Sequence, residues 1–416
     1  MRLIFWVSTL TIVYVYAGYP LLLTIWARVR SRRSAPEAAC ASEMRRSAPP
    51  TISIVIAARN EAARLPARIE NLLALAYPAD RREIIVVSDG SSDDTAAVLA
   101  QFPAVRAIAT PAGGKAAALN LAVAHASGDI LVFADARQMF APEALQALVA
   151  PFADASIGGV TGELVLDCEA SDIAGRRSGG ERRRTEGTRR EATDHGGDRR
   201  ISADRRGQIT STIGDGVSLY WRYEKRLRRL ESAIGSTLGA TGAIYALRRT
   251  LYQPLPDDAI LDDVLTPMRA VLAGYRVVVT DRAIAFDQAA IDADTERRRK
   301  VRTLAGNVQI LGIEPRLLVP FVNPVWLQYM SHKVGRLIVP YCFLALFAAS
   351  VTLAAEHFVY AVALAAQCGL YLLGGYGAWL DFVSRPAAEP TSEPMTLADS
   401  GAGRLPARAD KRIANA

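Results

Sequence analysis

The chain has 416 residues, 50% of them hydrophobic, and a positive mean hydropathy. That is enough for one large domain plus membrane spans, and the 22% of charged residues excludes a pure transporter-like bundle. The net charge of +7 admits nucleic acid, anionic lipid or phosphorylated substrates, so its position along the chain must choose among them.

Residues 3–26, "LIFWVSTLTIVYVYAGYPLLLTIW", carry no charge and have the length of a membrane-crossing helix. They are too long for a cleaved signal peptide, and the cluster Arg28, Arg30, Arg32, Arg33 comes after them instead of before them. Residues 1–28 therefore read as an N-terminal span and 29–49 as a linker. The positive-inside rule puts the residues beyond Arg28 on the cytoplasmic side.

From residue 50 short apolar runs alternate with helical patterns. Strands are expected at "TISIVIAA" (51–58), "EIIVVSD" (83–89), "AVRAIA" (104–109) and "DILVFADA" (129–136). Helices are expected in "NEAARLPARIENLLALA" (60–76), where Leu65, Ile69, Leu72 and Leu73 have helical spacing, at 94–101 with Ser91 or Ser92 as cap, at "KAAALNLAVAHA", and from about Pro142. This alternation predicts an α/β fold, a mostly parallel Rossmann-like sheet with helices on both faces, whose ligands bind beyond the carboxyl ends of the strands. Those ends carry "AARNE", "SDGSSDD" and "ADAR", and the loop before the third helix adds "GGK". Asp89, Lys115 and Asp135 could thus converge on one edge. Each alone reads as an ordinary cap or surface charge; together they point to a nucleotide site.

Residues 171–210 hold 11 Arg against 7 acids and almost nothing apolar. No core can form from such a segment, which reads as a disordered insertion at the domain surface. Its mixed charge and lack of aromatics argue against a nucleic-acid groove. Tyr220, Tyr223, Leu227, Leu230 and Ile234 then recur at helical spacing among Arg222, Lys225, Arg226, Arg228 and Arg229. This basic amphipathic helix could lie on a membrane surface or pack on the domain. "GATGAIYALRR" (239–249) reads as a Gly-bearing turn into a strand. Asp262 and Asp263 open a helix as either caps or chemical groups.

Toward the C-terminus, 317–333 mixes Trp326, Tyr329, His332 and Lys333 with apolar residues and reads as an interfacial helix. Residues 334–380 read as a transmembrane hairpin of two apolar runs, and 381–416 as a disordered cytoplasmic tail. The cysteines, Cys40, Cys168, Cys342 and Cys368, show no C-x-x-C pair, hence neither a disulfide framework nor a zinc site.

The ordered set "IAARNE", "SDGSSDDT", "GGKAAALN", "FADA", "GATGAIYALRR", "LDDVLTPMRAVLAGYRV" and "RRRKVRTLAGN" resembles the family-2 glycosyltransferases of GT-A fold, in particular the membrane-bound processive-type branch. The resemblance runs over about residues 50–336, with a catalytic domain at 50–316. It implies donor-nucleotide contacts at Ala58, Glu61, Asp89 (toward a uracil ring), Lys115 (near the diphosphate) and Asp135 (ribose and metal). It implies Asp263 as catalytic base, Asp262 and Gly242 at the sugar or acceptor, and phosphate stabilisation by Arg299, Lys300 and Arg302. Those three stand where the polymerising branch has Q-x-x-R-W, whose Gln and Trp are absent. Arg137 replaces the second acid of the family's D-x-D, so a divalent cation (Mg or Mn) is implied through Asp135 alone and Arg137 is a candidate phosphate contact. The implied activity is inverting transfer from a nucleotide-sugar, a UDP-sugar by the Asp89 match, to a saccharide or lipid-linked hydroxyl by an integral protein of a bacterial inner membrane. The implied partners are donor, acceptor and membrane lipids, without nucleic acid. A nucleotidyltransferase of similar fold and a degenerate membrane scaffold, the latter suggested by "DAR", are the competing readings. Sugar, acceptor, processivity and oligomeric state are open.

Overall fold

A computed structural model of the chain describes residues 1–31, 48–166, 207–287 and 293–384. Most of the linker, the Arg-rich insertion up to residue 206, the tail beyond 384, Cys40 and Cys168 lie outside the described residues. The chain divides into two compact units, residues 2–346 and residues 347 onward.

In the first unit an eight-stranded sheet has the order β3-β2-β1-β4-β7-β6-β8-β5. Its strands are β1 (Ile52–Ala58), β2 (Arg82–Asp89), β3 (Arg106–Thr110), β4 (Ile130–Ala134), β5 (Met139–Phe140), β6 (Ile157–Leu166), β7 (Ile244–Arg248) and β8 (Arg276–Asp287). The half built from β1 to β4 is parallel throughout. Beyond β4 the sheet is mixed, because β7 runs antiparallel to both β4 and β6 while β6 and β8 pair in parallel. The turn "GATGA" makes this reversal: the chain enters β7 from the site edge, where the parallel strands end.

Strand alternation decides the two faces. Ile52, Ile54 and Ile56 point to one side with Leu65, Ile69 and Leu72 of α3 (Leu65–Leu73) and Leu145, Leu148 and Val149 of α6 (Ala144–Val149). Val55, Ile85, Val87, Leu131 and Phe133 point to the other, under Ala118, Leu119 and Ala122 of α5 (Lys115–Ala124) and Leu265, Met268 and Val271 of α8 (Asp262–Leu272). Each fully buried Ile, Leu or Val contributes roughly 1.5–3 kcal/mol, so both helical layers are required. The N-cap position of the helix after β2, α4 (Thr95–Leu99), is Asp94 and not Ser91 or Ser92; Asp93 Oδ1 accepts the Thr95 amide at 3.1 Å.

Among the described residues three helices are long and apolar enough to cross a membrane: Arg2–Arg30, Trp326–Leu353 and Phe358–Leu380. The first consists of α1 (Arg2–Val13), a π-helical turn at Tyr14–Gly18, and α2 (Tyr19–Ser31). The basic helix, α7 (Gly207–Ile234), starts within the last residues read as insertion and packs Leu227 and Ile234 against Tyr19 and Leu23 of α2. The stretch 317–333 is not one interfacial helix. Residues up to Leu318 form a short 3-10 turn, Asn323 and Pro324 interrupt, and α10 (Trp326–Tyr329) runs through a π-helical turn into α11 (Gly335–Leu353). His332, on the helix from Trp326, is 3% exposed, with Nδ1 2.7 Å from Glu231 Oε1 and Nε2 3.1 Å from Glu224 Oε1. Tyr19 donates to the same Glu231 oxygen at 2.8 Å and Arg336 to Glu224 at 2.8 Å, which ties α2, α7 and the helix from Trp326 together. The helix α9 (Ala293–Ile313) comes after β8. In the second unit a short turn leads to α12 (Phe358–Ser384), where Tyr371 meets Phe347 edge-on at 5.8 Å.

Candidate active site

The loops after β1 and β2 interlock. Asn60, in the left-handed region at φ 54°, accepts the Ser92 amide at 2.8 Å, and the Glu61 amide donates to Thr95 at 3.1 Å. Ala58 closes β1 as a buried residue, and the Glu61 carboxylate pairs with Arg64 at 2.8 Å.

Asp89, buried at the end of β2, is held by backbone. Its Oδ1 accepts from the Gly113 amide at 2.6 Å and its Oδ2 from the Gly114 amide at 3.0 Å. Gly114 adopts φ +88°, open to glycine at little cost, and the next residue begins α5. Asp89 therefore fixes the loop that launches Lys115.

Lys115 reaches across the site. Its Nζ lies 3.2 Å from Asp135 Oδ1, just beyond β4, and 3.1 Å from Asp262 Oδ1 in the first turn of α8. Burial alone would lower its proton affinity, but Asp262, Asp135 and Asp263 together hold the ammonium above its ordinary range. One cation thus joins the carboxyl edge of the parallel half to the helix after the antiparallel reversal, and Asp89, Lys115 and Asp135 are brought to one edge as expected.

Asp263 is next along the helix from Asp262, turned about 100° around its axis. Burial first, then the charge of Asp262, pushes its carboxyl up from the usual range, against Lys115, Lys333 and Arg228. Its backbone oxygen accepts the Ala240 amide at 2.7 Å, and a Cβ at Gly242 would stand 3.1 Å from its Oδ2. Glycine at 242 therefore leaves the approach to the carboxylate open. The neighbouring Thr241 amide donates to Thr161 at 2.9 Å, fixing this turn to β6.

The other expected cations are not gathered at Lys115. Arg137 is exposed, and no ion pair joins it to a described acid. On α9, Arg299, Lys300 and Arg302 are exposed. Arg302 donates to the Ile260 carbonyl at 3.4 Å, and Arg299 lies 5.7 Å over the Trp221 ring. They flank the start of α8, which Gln309 also steadies by accepting the Ile260 amide at 3.0 Å. Sequence reasoning missed Arg228, Thr161 and Lys333, and it missed that Asp262 pairs with Lys115. For Arg228 the signal was the basic stripe of α7; nothing in the sequence marked Thr161 as its neighbour.

A divalent cation fits these side chains poorly. Asp135 supplies one carboxylate already engaged by an ammonium, Arg137 stands where a second would, and no group of three ligating side chains occurs among the described residues.

Residues 53–207 match the family model described as Glycosyl transferase family 2. Over that stretch the chain is similar to the family 2 glycosyltransferases. The chain is 32% identical over 139 residues to the beta-monoglucosyldiacylglycerol synthase of Synechocystis sp., covering 32% of this chain and 29% of that protein. It is 37% identical over 95 residues to the probable glycosyltransferase YdaM of Bacillus subtilis, covering 21% and 23%. With the poly-beta-1,6-N-acetyl-D-glucosamine synthase of Staphylococcus aureus it shares 32% over 116 residues, covering 27% and 28%. The match spans less than a third of each of these relatives. Among solved structures, the mannosyltransferase PcManGT of Pyrobaculum calidifontis, in complex with GDP-Man and Mn2+, superposes with TM-score 0.61 at 20% identity, covering 90% of this chain and 94% of that one. The fold is GT-A, with a mixed sheet.

Proposed function

We propose that the protein is a membrane-anchored inverting glycosyltransferase that moves a sugar from a nucleotide-sugar, a UDP-sugar by the Asp89 motif, to a hydroxyl on a saccharide or lipid-linked acceptor. The observation that carries this reading is Lys115 between Asp135 and Asp262, with Asp263 beside it. When the bond from the anomeric carbon to the diphosphate breaks, the electron pair leaves on a phosphate oxygen, and an ammonium fixed at that edge stabilises the growing charge. On the other side the acceptor hydroxyl gives its proton to Asp263 as the new C–O bond forms. A carboxyl with raised proton affinity is the better base for that step. Attack from the face opposite the leaving group inverts the anomeric centre.

No step here is routed through a metal. A divalent ion would rest on Asp135 and on the donor's own phosphate oxygens, because Arg137 adds a cation where a ligand would be. The three apolar helices support membrane anchoring, and the arginines after the first support a cytoplasmic catalytic domain.

The test is turnover of a panel of nucleotide-sugars by the detergent-solubilised full chain, with the products read by NMR. Release of nucleoside diphosphate with an inverted glycosidic product is expected. Formation of a nucleotidylated product with release of sugar 1-phosphate overturns the reading in favour of nucleotidyl transfer.

A further inference from the structure

A second cluster of cations lies beside the turn that carries Thr241 and Gly242. Between α7, β6 and the turn before β7 is a recess lined by Thr161, Trp221, Lys225, Arg228, Arg229 and Thr241, with Glu163 as its acid. Glu163 is spoken for: Lys225 Nζ is 3.2 Å from its Oε1 and Arg229 Nη2 2.7 Å from its Oε2. Arg228 is different. It is half-buried, donates to Thr241 Oγ1 at 3.2 Å, and has no carboxylate partner among the described residues. Arg299 reaches the rim by lying over Trp221. The recess thus carries more positive charge than its one acid can neutralise.

Its place relates it to the chemistry. Thr241 adjoins Gly242, whose Cα faces Asp263 Oδ2, while Asp262, a third of a turn away on α8, faces Lys115. The first turn of α8 therefore separates a lysine side from an arginine side. The helix that presents the arginine packs on α2, part of a membrane-length helix.

We propose that this recess binds the phosphate of a phosphorylated acceptor, whose neighbouring hydroxyl then lies against Asp263. The proposal rests on the transferase reading and specifies its acceptor. Arg228 would grip the phosphate, with Lys225 and Arg229 adding field and Thr161 or Thr241 a hydroxyl donor. The chemistry is unchanged: the acceptor O–H gives its proton to Asp263, its oxygen bonds the anomeric carbon, and the nucleoside diphosphate departs with the electron pair. The phosphate only anchors. Such a phosphate can belong to a lipid headgroup or to a soluble sugar or polyol phosphate.

The test is calorimetric binding to the detergent-solubilised full chain, using dihexanoyl phosphatidylglycerol, dihexanoylglycerol and glycerol 3-phosphate. Both phosphate compounds are expected to bind, and Arg228→Gln to weaken each by about tenfold, the loss of one charge-assisted hydrogen bond. Arg228→Lys should recover part of that. Arg226→Gln, exposed on the same helix outside the recess, should change nothing. Tighter binding of phosphatidylglycerol than of glycerol 3-phosphate assigns a lipid headgroup; equal binding assigns a soluble phosphate. The proposal is overturned if dihexanoylglycerol binds as well as phosphatidylglycerol, if Arg228→Gln has no effect, or if UDP displaces the phosphate ligand. Release of UDP is measured separately. Release without Arg228-dependent binding removes this site alone, whereas Arg228-dependent binding without release with any donor removes the transferase reading.

Discussion

Asp263 is a strained charge. Burial and Asp262 raise its carboxyl above the ordinary Asp range, so the folded state holds its proton more tightly than the unfolded chain does. Below the ordinary Asp range this group therefore does not oppose folding, and as pH rises through its raised folded value it comes to destabilise the fold. Asp263→Asn is expected to melt at a higher temperature than the parent near neutral pH, by thermal denaturation in detergent, and the gain should shrink toward acid pH. Because the base must be ionised, the acid limb of kcat/KM should sit above the ordinary Asp range and vanish in the Asn variant. Arg137 gives a second expectation. If it supplies charge where the family has a ligand, the parent keeps its activity in chelator. Arg137→Asp then becomes chelator-sensitive and Arg137→Ala loses activity that divalent ions partly restore. Unchanged kinetics in both variants would make Arg137 a surface residue. These roles were partly legible. Asp135, Asp89 and Lys115 could be picked out because they end strands in a regular alternation. That Asp89 spends its oxygens on two glycine amides could not, because the partners lie in a loop with no periodicity.

Among the elements, α7 departs furthest from its sequence pattern. Its spacing showed an amphipathic basic helix, and the two options, membrane surface or domain packing, were evenly matched. The structure shows packing: Leu227 and Ile234 face α2, while Lys225, Arg228 and Arg229 face β6 and the Gly242 turn. What decides it is the pair Glu224 and Glu231, which single-helix periodicity treats as solvent-facing charges and which in fact enclose His332. Burial alone would raise the Glu224 carboxyl, but His332 and Arg336 hold it well below its ordinary range. Its contribution is kept above the ordinary Glu range and is lost as pH falls below it. Removing one partner of such a buried set costs about 3–5 kcal/mol. His332→Ala should accordingly lower the melting temperature far more than His125→Ala, whose ring meets only its own helix through the Leu121 carbonyl. Equal shifts would mean that the network is incidental. The single helix expected at 317–333 is interrupted at Asn323 and Pro324, and one of its basic residues, His332, meets buried acids.

At the scale of the molecule, the parallel half of the sheet and the three apolar helices could be read directly, because period-2 burial and uninterrupted hydrophobic length are local signals. The mixed half could not. β6 and β8 pair across more than a hundred residues of chain, and the antiparallel β7 depends on a glycine turn whose direction no local pattern states. Yet that reversal places Gly242 and Asp263 near Lys115, and so brings the candidate site together at a sheet edge. The most direct measurement is the rate of UDP release from a UDP-sugar, with acceptor present, by the full chain and by its Lys115→Ala and Asp263→Asn variants. The geometry predicts release by the parent and losses of roughly 10²–10⁴-fold in each variant, with donor binding kept in Asp263→Asn. Release by Asp263→Asn at the parent's rate would contradict it.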